Sequence, residues 1–334
     1  MFNSINYLPW IIVGLCLLIL IVGILLITLR GKYTFDCIPN MDGKVIVITG
    51  STSGIGYETA LELAKRDAHI ILASRNPKKG EDTITKIKSE YPNAKVEFIK
   101  LDTSSLESVR NFKDEFEKTG LKIDALVLNA GICKVPTREL SVDGYERQFA
   151  TNYLGHFALT SYLMPYINDN GKIVSLSSLS HSWSKIRFND INFNKKYKGI
   201  KAYAQSKLAM LMFSYELSRR LANSSRNIKS IAVHPGISKT AIVRFGDRSG
   251  GFAQKFYSFG FSIVGQSQKK GALPSIYAIC EDNALSGAYY GPDMLFGSRG
   301  YPKKARSNRY SKNEDVAKKL WELSLDLAKV EFDI

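Results

Sequence analysis

Cysteine is scarce in this chain and is used singly. Cys16, Cys37, Cys133 and Cys280 are scattered through 334 residues without disulfide-framework or zinc-ligand spacing. That excludes a small stapled scaffold and a zinc module, and no metal site is expected. Repeats and low-complexity segments are also absent, so length and composition fit one large α/β domain plus an appendage. Charge is missing altogether from the N-terminus: Arg30 is the first charged side chain, and residues 8–29 form an unbroken uncharged run of 22. As a helix the run spans roughly 33 Å, against a bilayer hydrocarbon core of about 30 Å.

A cleaved signal peptide is disfavoured by further absences. No basic segment precedes the run, no A-x-A-like site ends it, and it exceeds the usual apolar region of about 7–15 residues. A helix buried in a soluble core rarely stays apolar on every face. The run is therefore expected to be a transmembrane signal anchor. Residues 1–7 would be a short non-cytosolic N-terminus, residues 30–41 a linker, and residues 42–334 the folded domain. Arg30, Lys32 and Lys44 follow the run, so the positive-inside rule leaves the domain in the cytosol. The glycosylation pattern Asn223-Ser224-Ser225 points the other way; the expectation is that Asn223 carries no glycan.

Lysine and arginine number 46 against 31 acids, a net charge of +15. No recognised nucleic-acid module accompanies that excess, so no nucleic-acid partner is expected. Arg299, Lys303, Lys304, Arg306 and Arg309 cluster near the C-terminus without an acid among them, which suits an anionic membrane surface or a solvated basic face.

Along the domain, β-branched runs alternate with helical patterns. Residues 69–74, 95–100, 124–129, 172–177 and 228–234 read as strands, and such alternation predicts a Rossmann-type doubly wound parallel sheet with helices on both faces. The run Val45-Ile46-Val47-Ile48-Thr49 leads into Gly50-Ser51-Thr52-Ser53-Gly54-Ile55-Gly56 and then a helical stretch. A strand, a glycine-rich turn and a helix start make a pyrophosphate cradle, because glycine lets the backbone approach a ligand and the helix N-terminus offers free N–H groups. The spacing T-G-x-x-x-G-x-G differs from the more usual G-x-G-x-x-G.

Far downstream, Tyr203 and Lys207 stand at i and i+4 on a predicted helix, after a serine-rich strand end at Ser175-Leu176-Ser177-Ser178. On one helix face the ammonium would lie beside the phenol and favour its ionised form, a tuning that acid–base chemistry needs.

Taken together, the motifs resemble the short-chain dehydrogenase/reductase family from about Asp42 to the C-terminus. The family's cofactor loop matches residues 49–56, its N-A-G motif Asn129-Ala130-Gly131, its helix asparagine Asn152, its serine Ser178, its Tyr–Lys pair Tyr203 and Lys207, and its P-G motif Pro235-Gly236 followed by Thr240. Residues 181–221 and the tail from Tyr289 look most like the membrane-attached retinol dehydrogenase group. The resemblance implies hydride exchange at a carbonyl or alcohol carbon, with Tyr203 moving the proton and Ser178 holding the oxygen. It further implies that Lys207 tunes the phenol and binds the nicotinamide ribose, while Asn152 positions a relay water. Family members often pair through helices, so a homodimer is one arrangement the resemblance admits, although a membrane tether can replace it.

After the second predicted strand the chain reads Ser74-Arg75, with no carboxylate for a ribose 2′-hydroxyl; Arg75 would meet a 2′-phosphate instead. By resemblance this means NADP(H) in preference to NAD(H). Asp102 resembles the family's adenine-contacting residue, and serves equally as a helix N-cap. Ser178 and Tyr203 are separated by 25 positions, wider than in many members, and the insert of residues 181–200 carries Trp183, Ile186, Phe188, Ile191, Phe193 and Tyr197. Those side chains, like the aromatic-rich residues 245–264, would wall a greasy substrate pocket or fill core. The expected protein is a single-pass enzyme of an internal membrane, the endoplasmic reticulum or a lipid droplet, acting on a retinoid, steroid or fatty aldehyde. A catalytically idle membrane scaffold of the same fold is the alternative.

Overall fold

A computed structural model describes residues 8–29, 32–133, 135–237 and 265–334. Two compact units emerge, Met1–Tyr33 and Thr34–Ile334. The first holds helix α1, Leu8–Leu29. Its side chains are described at residues 11–19, 21 and 22, and all of these are exposed. Among the described residues no helix is long and apolar enough to cross a membrane, so the expected span rests on the sequence of the run. The larger unit begins within the expected linker: Ile38 and Met41 are buried, and the Met41 amide donates to the Arg66 carbonyl at 2.6 Å.

An eight-stranded sheet in the order β3-β2-β1-β4-β5-β6-β7-β8 forms the core of this unit. β1 is Val45–Thr49, β2 His69–Ser74, β3 Val96–Lys100, β4 Ile123–Leu128, β5 Ile167–Leu176 and β6 Lys229–Val233. Every residue of β1 is buried, as a strand covered on both faces requires. Two further strands, β7 Tyr289–Met294 and β8 Arg299–Lys304, extend the sheet, and β8 runs antiparallel to β7. The expected sheet is therefore parallel only through β7. The last hairpin was hidden because its glycines, prolines and charges carry no strand alternation.

Helices α2 (Gly54–Ala64), α3 (Pro77–Glu90) and α7 (Gln268–Cys280) cover one face. The opposite face carries α4 (Leu106–Lys118), α5 (Gly155–Leu163), α6 (Gly199–Ala222) and α8 (Glu314–Ala328). Val45, Val47, Ile71, Leu126 and Ile173 pack there with Phe112, Phe157, Phe213 and Trp321. The period-2 alternation of the strands sends Ile46 and Ile48 to the other face, where they are equally buried. The crossovers bring the carboxyl ends of β1, β4, β5 and β6 to one edge.

Among the described residues none of the four cysteines is in a disulfide, and no group of His, Cys, Asp and Glu could hold a metal.

Candidate active site

The strand ends open onto a cleft of about 680 Å³. At its floor the chain leaves β1 through Gly50, whose φ of +65° and whose position against Ala130 both demand glycine: a Cβ there would stand 2.8 Å from the Ala130 Cα. Gly56, in the first turn of α2, is needed for a different reason. A Cβ on it would lie 2.5 Å from both the Gly50 carbonyl oxygen and Asn129 Nδ2. The Ser53 side chain makes no cap, so the leading N–H groups of α2 remain available to an anion beside the cleft. Gly50, Ser53, Gly54 and Ile55 line the cleft, whereas Ser51 is fully buried and does not.

Asn129, Ala130 and Gly131 follow β4 and line the same cleft. The Asn129 amide donates to the Thr49 carbonyl at 2.8 Å, and the backbone N–H groups of Asn129 and Ala130 donate to Thr49 Oγ1 at 2.8 and 2.9 Å. These bonds tie the ends of β1 and β4 together and hold the glycine loop in shape. Arg75, Asn76, Lys79 and Asp102 line the far end of the cleft. Asp102 is not the cap of α4: Ser105 takes that position, its hydroxyl accepting from the Ser108 amide, while Asp102 Oδ1 accepts from the Ser104 amide at 2.9 Å and the Ser104 hydroxyl at 2.6 Å. A glycine cradle, an uncapped helix N-terminus and a cationic end together fit a dinucleotide carrying phosphate.

The other end of the cleft holds Ser178, Tyr203 and Lys207. Ser178 lies two residues beyond the end of β5 and caps the turn Leu179–Trp183, its hydroxyl accepting from the Ser180 amide at 3.2 Å. Tyr203 and Lys207 project from α6 as the i, i+4 spacing predicts. Lys207 is buried, and its Nζ donates to the Leu176 carbonyl at 2.8 Å. Loss of solvent lowers its pKa to about 8, against the opposing influence of Cys133.

Burial also moves the phenol, in the opposite sense to the one expected. It raises the Tyr203 pKa above the ordinary value; Cys133 adds to the rise and the neighbouring Ser178 hydroxyl opposes it. Lys207 is not among the groups that shift it. The anticipated lysine-driven lowering does not operate here: desolvation dominates the phenol, and the Lys207 ammonium is turned toward a backbone carbonyl.

Asn152 lies behind the cleft rather than on its wall. It sits in a π-helical turn, Ala150–Leu154, of the kind often found at functional sites. Its amide donates to the Ile132 carbonyl and to Ser206 Oγ, both at 2.9 Å, and its Oδ1 accepts from the Ile132 amide at 2.8 Å. The side chain therefore clamps the Gly131–Ile132 turn onto α6. A Cβ on Gly131 would fall 3.2 Å from Asn152 Oδ1 and 3.5 Å from Lys207 Nζ. Pro235 and Gly236 line the cleft after β6; Thr240 and the aromatic-rich residues 245–264 lie outside the described residues.

The insert divides between the two fates open to it. Trp183 is 54% exposed and lines the cleft with Ile200. Ile186 and Phe193 are buried, and Phe188 and Ile191 pack against the core. Tyr197 donates to the Val135 carbonyl at 3.0 Å.

One residue that sequence reasoning missed, His156, helps hold the site together. His156 Nδ1–H donates to the Asn152 carbonyl at 3.1 Å, which leaves Nε2 to accept from the Thr49 hydroxyl at 2.9 Å. Burial lowers the pKa of this imidazole to about 3, so it is neutral. His156 thus joins the cofactor loop to the asparagine turn. The signal was present: His156 stands four residues after Asn152, on the same helical face.

The short chain dehydrogenase family model matches residues 44–248. Retinol dehydrogenase 13 of Mus musculus is 38% identical over 285 residues, covering 84% of this chain and 82% of that protein. Polyprenol dehydrogenase of Homo sapiens is 32% identical over 307 residues, covering 90% of each. A solved structure of an uncharacterised protein from Mycobacterium Paratuberculosis aligns with a TM-score of 0.75 at 35% identity, covering 91% of this chain and all of that one. A cleft of this design, matched over this length, is that of an oxidoreductase working on CH–OH and C=O groups with a nicotinamide cofactor: the chain belongs to the short-chain dehydrogenase/reductase family, and its likeness falls in the retinol dehydrogenase group.

Proposed function

We propose that this protein is a membrane-anchored, NADP(H)-dependent oxidoreductase that interconverts a lipophilic carbonyl and its alcohol, the candidate substrates being retinoids, steroids and fatty aldehydes. One observation carries the reading: the glycine cradle, Ser178, Tyr203 and Lys207 all open on one cleft, whose wall beside Tyr203 is apolar at Leu179, Trp183, Ile200 and Ile237. Relatives named for retinol and polyprenol support the substrate class. The uncharged helix Leu8–Leu29, followed by basic residues, supports the anchor and a cytosolic domain.

When bound, the nicotinamide supplies or takes up the hydride. The chain's own residues handle the proton and the oxygen. Ser178 hydrogen-bonds the substrate oxygen, and the Tyr203 hydroxyl gives that oxygen its proton as the carbonyl becomes an alcohol. A phenol whose pKa is raised stays protonated at neutral pH, which suits it to act as the acid of the reductive direction. Lys207, with its pKa lowered to about 8, carries its charge below that pH and would bind the nicotinamide ribose. Arg75 and Lys79 would meet the 2′-phosphate of NADP(H).

Reconstituted protein screened for NADPH oxidation against retinal, steroid ketones and aliphatic aldehydes tests the activity; ligand binding without any turnover would favour the idle scaffold. Arg75→Ala tests the cofactor. The NADPH-over-NADH preference should fall by about 10–100-fold, the loss of one charge-assisted contact of roughly 1.5–3 kcal/mol; an unchanged ratio removes Arg75 from the reading.

A further inference from the structure

The β7–β8 hairpin carries an apolar tip that the fold leaves in water. Met294 is 49% exposed, Leu295 52% and Phe296 101%. Leu295 and Phe296 adopt φ values of 46° and 57°, in the left-handed region that L-residues rarely enter. Immediately after the tip, β8 and the segment that follows present Lys303, Lys304, Arg306 and Arg309, all exposed and none ion-paired among the described residues. The acid of the hairpin, Asp293, is exposed at the base of the tip, accepts from the Tyr301 amide at 2.9 Å, and is in no ion pair with these cations among the described residues.

Lysines on an edge strand also discourage unwanted pairing. That accounts for the cations but not for three large apolar side chains ahead of them. The contrasting case is Leu140 and Val142, also exposed at 48% and 84% but set between Glu139 and Asp143. The hairpin tip instead joins three consecutive exposed apolar side chains to a cluster of cations that lie in no ion pair among the described residues.

The tip also adjoins the mouth of the cleft. A Cβ on Gly297 would stand 3.5 Å from Leu179 Cδ2, and the Ser298 carbonyl accepts from the Ile237 amide at 2.8 Å. Leu179 and Ile237 both line the cleft.

We propose that the Met294–Leu295–Phe296 tip inserts into the interfacial layer of a bilayer bearing anionic headgroups, with Lys303, Lys304, Arg306 and Arg309 on its surface. This second membrane contact brings the cleft mouth to the lipid, so that an apolar substrate passes into the site without crossing water. The proposal deepens the membrane reading above and rests on it, but the two fail separately.

The test uses the full chain with vesicles of phosphatidylcholine, with or without phosphatidylserine. Phe296→Trp is compared with the parent chain by difference fluorescence. With phosphatidylserine present, emission at position 296 should shift to the blue and lose about half its intensity to acyl-brominated lipid, as an interfacially buried ring would. Lys303→Glu combined with Lys304→Glu should reduce that quenching. A water-like spectrum at position 296 overturns the proposal. So does a blue shift without quenching by brominated lipid, which would mean that a protein or a second copy covers the tip. Flotation of the same samples reads the anchor separately: a chain that floats while position 296 stays in water keeps the anchor and loses the tip, and a chain that does not float loses both.

Discussion

The two ends of the cleft are built by different means. At the cofactor end the shape is made by backbone: Gly50 and Gly56 are held by contacts that leave no room for a Cβ, and Asn129 bonds the main chain on either side. At the substrate end the shape is made by side chains gathered from distant segments, with Leu179 and Trp183 after β5, Ile200 at the start of α6, and Ile237 after β6. The first construction tolerates almost no change, since a misplaced backbone atom has nowhere to go. The second can be repacked one side chain at a time, which is how one family serves many substrates.

Tyr203 stands where the two ends meet, and its substitution has the largest expected effect. Tyr203→Phe should lower turnover by about 10²–10⁴-fold, the usual contribution of a positioned acid, while NADPH binding measured by fluorescence titration stays near the parent value. Substantial residual turnover would remove the phenol from the chemistry.

Gly56→Ala breaks the cofactor end alone. Its new Cβ would press on Gly50 and Asn129, at an overpacking cost of roughly 1–3 kcal/mol. Thermal melting should fall and NADPH should bind more weakly; a variant as stable and as tight-binding as the parent would mean the loop yields easily. Trp183→Ala tests the substrate end alone. KM for a long apolar substrate should rise by about tenfold, equivalent to roughly 1.4 kcal/mol, with KM for NADPH unchanged. A change in both would show that the two ends are not separable.

The smallest effect concerns the buried imidazole beneath them. His156 titrates near 3 in the folded chain and near 6.5 when unfolded. Between those values the unfolded chain takes up the proton and the folded chain does not, so this residue leaves stability untouched above about pH 6.5 and erodes it as pH falls toward 3. His156→Gln should flatten that part of a plot of denaturation midpoint against pH. An unchanged slope would assign the acid sensitivity elsewhere; His234, depressed to about 3 by burial and by the charge of His181, is the next candidate.

Legibility in the sequence follows the same division. Strand β2 has the boundaries expected of it, and Tyr203 and Lys207 share the helix that their spacing requires. Local rules govern both: apolar runs make buried strands, and i, i+4 pairs share a face. The final hairpin escaped because its register depends on pairing with β7 rather than on its own pattern. The insert was ambiguous for a related reason: Trp183 and Phe193 are both large and aromatic, and nothing in their local sequence says that one lines a cleft while the other fills the core.

By itself the amino-acid sequence determined the uncharged N-terminal run, the alternation of strand and helix, and the glycine turn, because each is a local consequence of side-chain polarity and backbone freedom. Tertiary structure decided the direction in which the Tyr203 proton is biased, the clamp that Asn152 makes, and the bridge through His156. Those depend on desolvation and on hydrogen bonds between residues brought together only when the sheet closes, and such quantities belong to the assembled surroundings rather than to any stretch of chain.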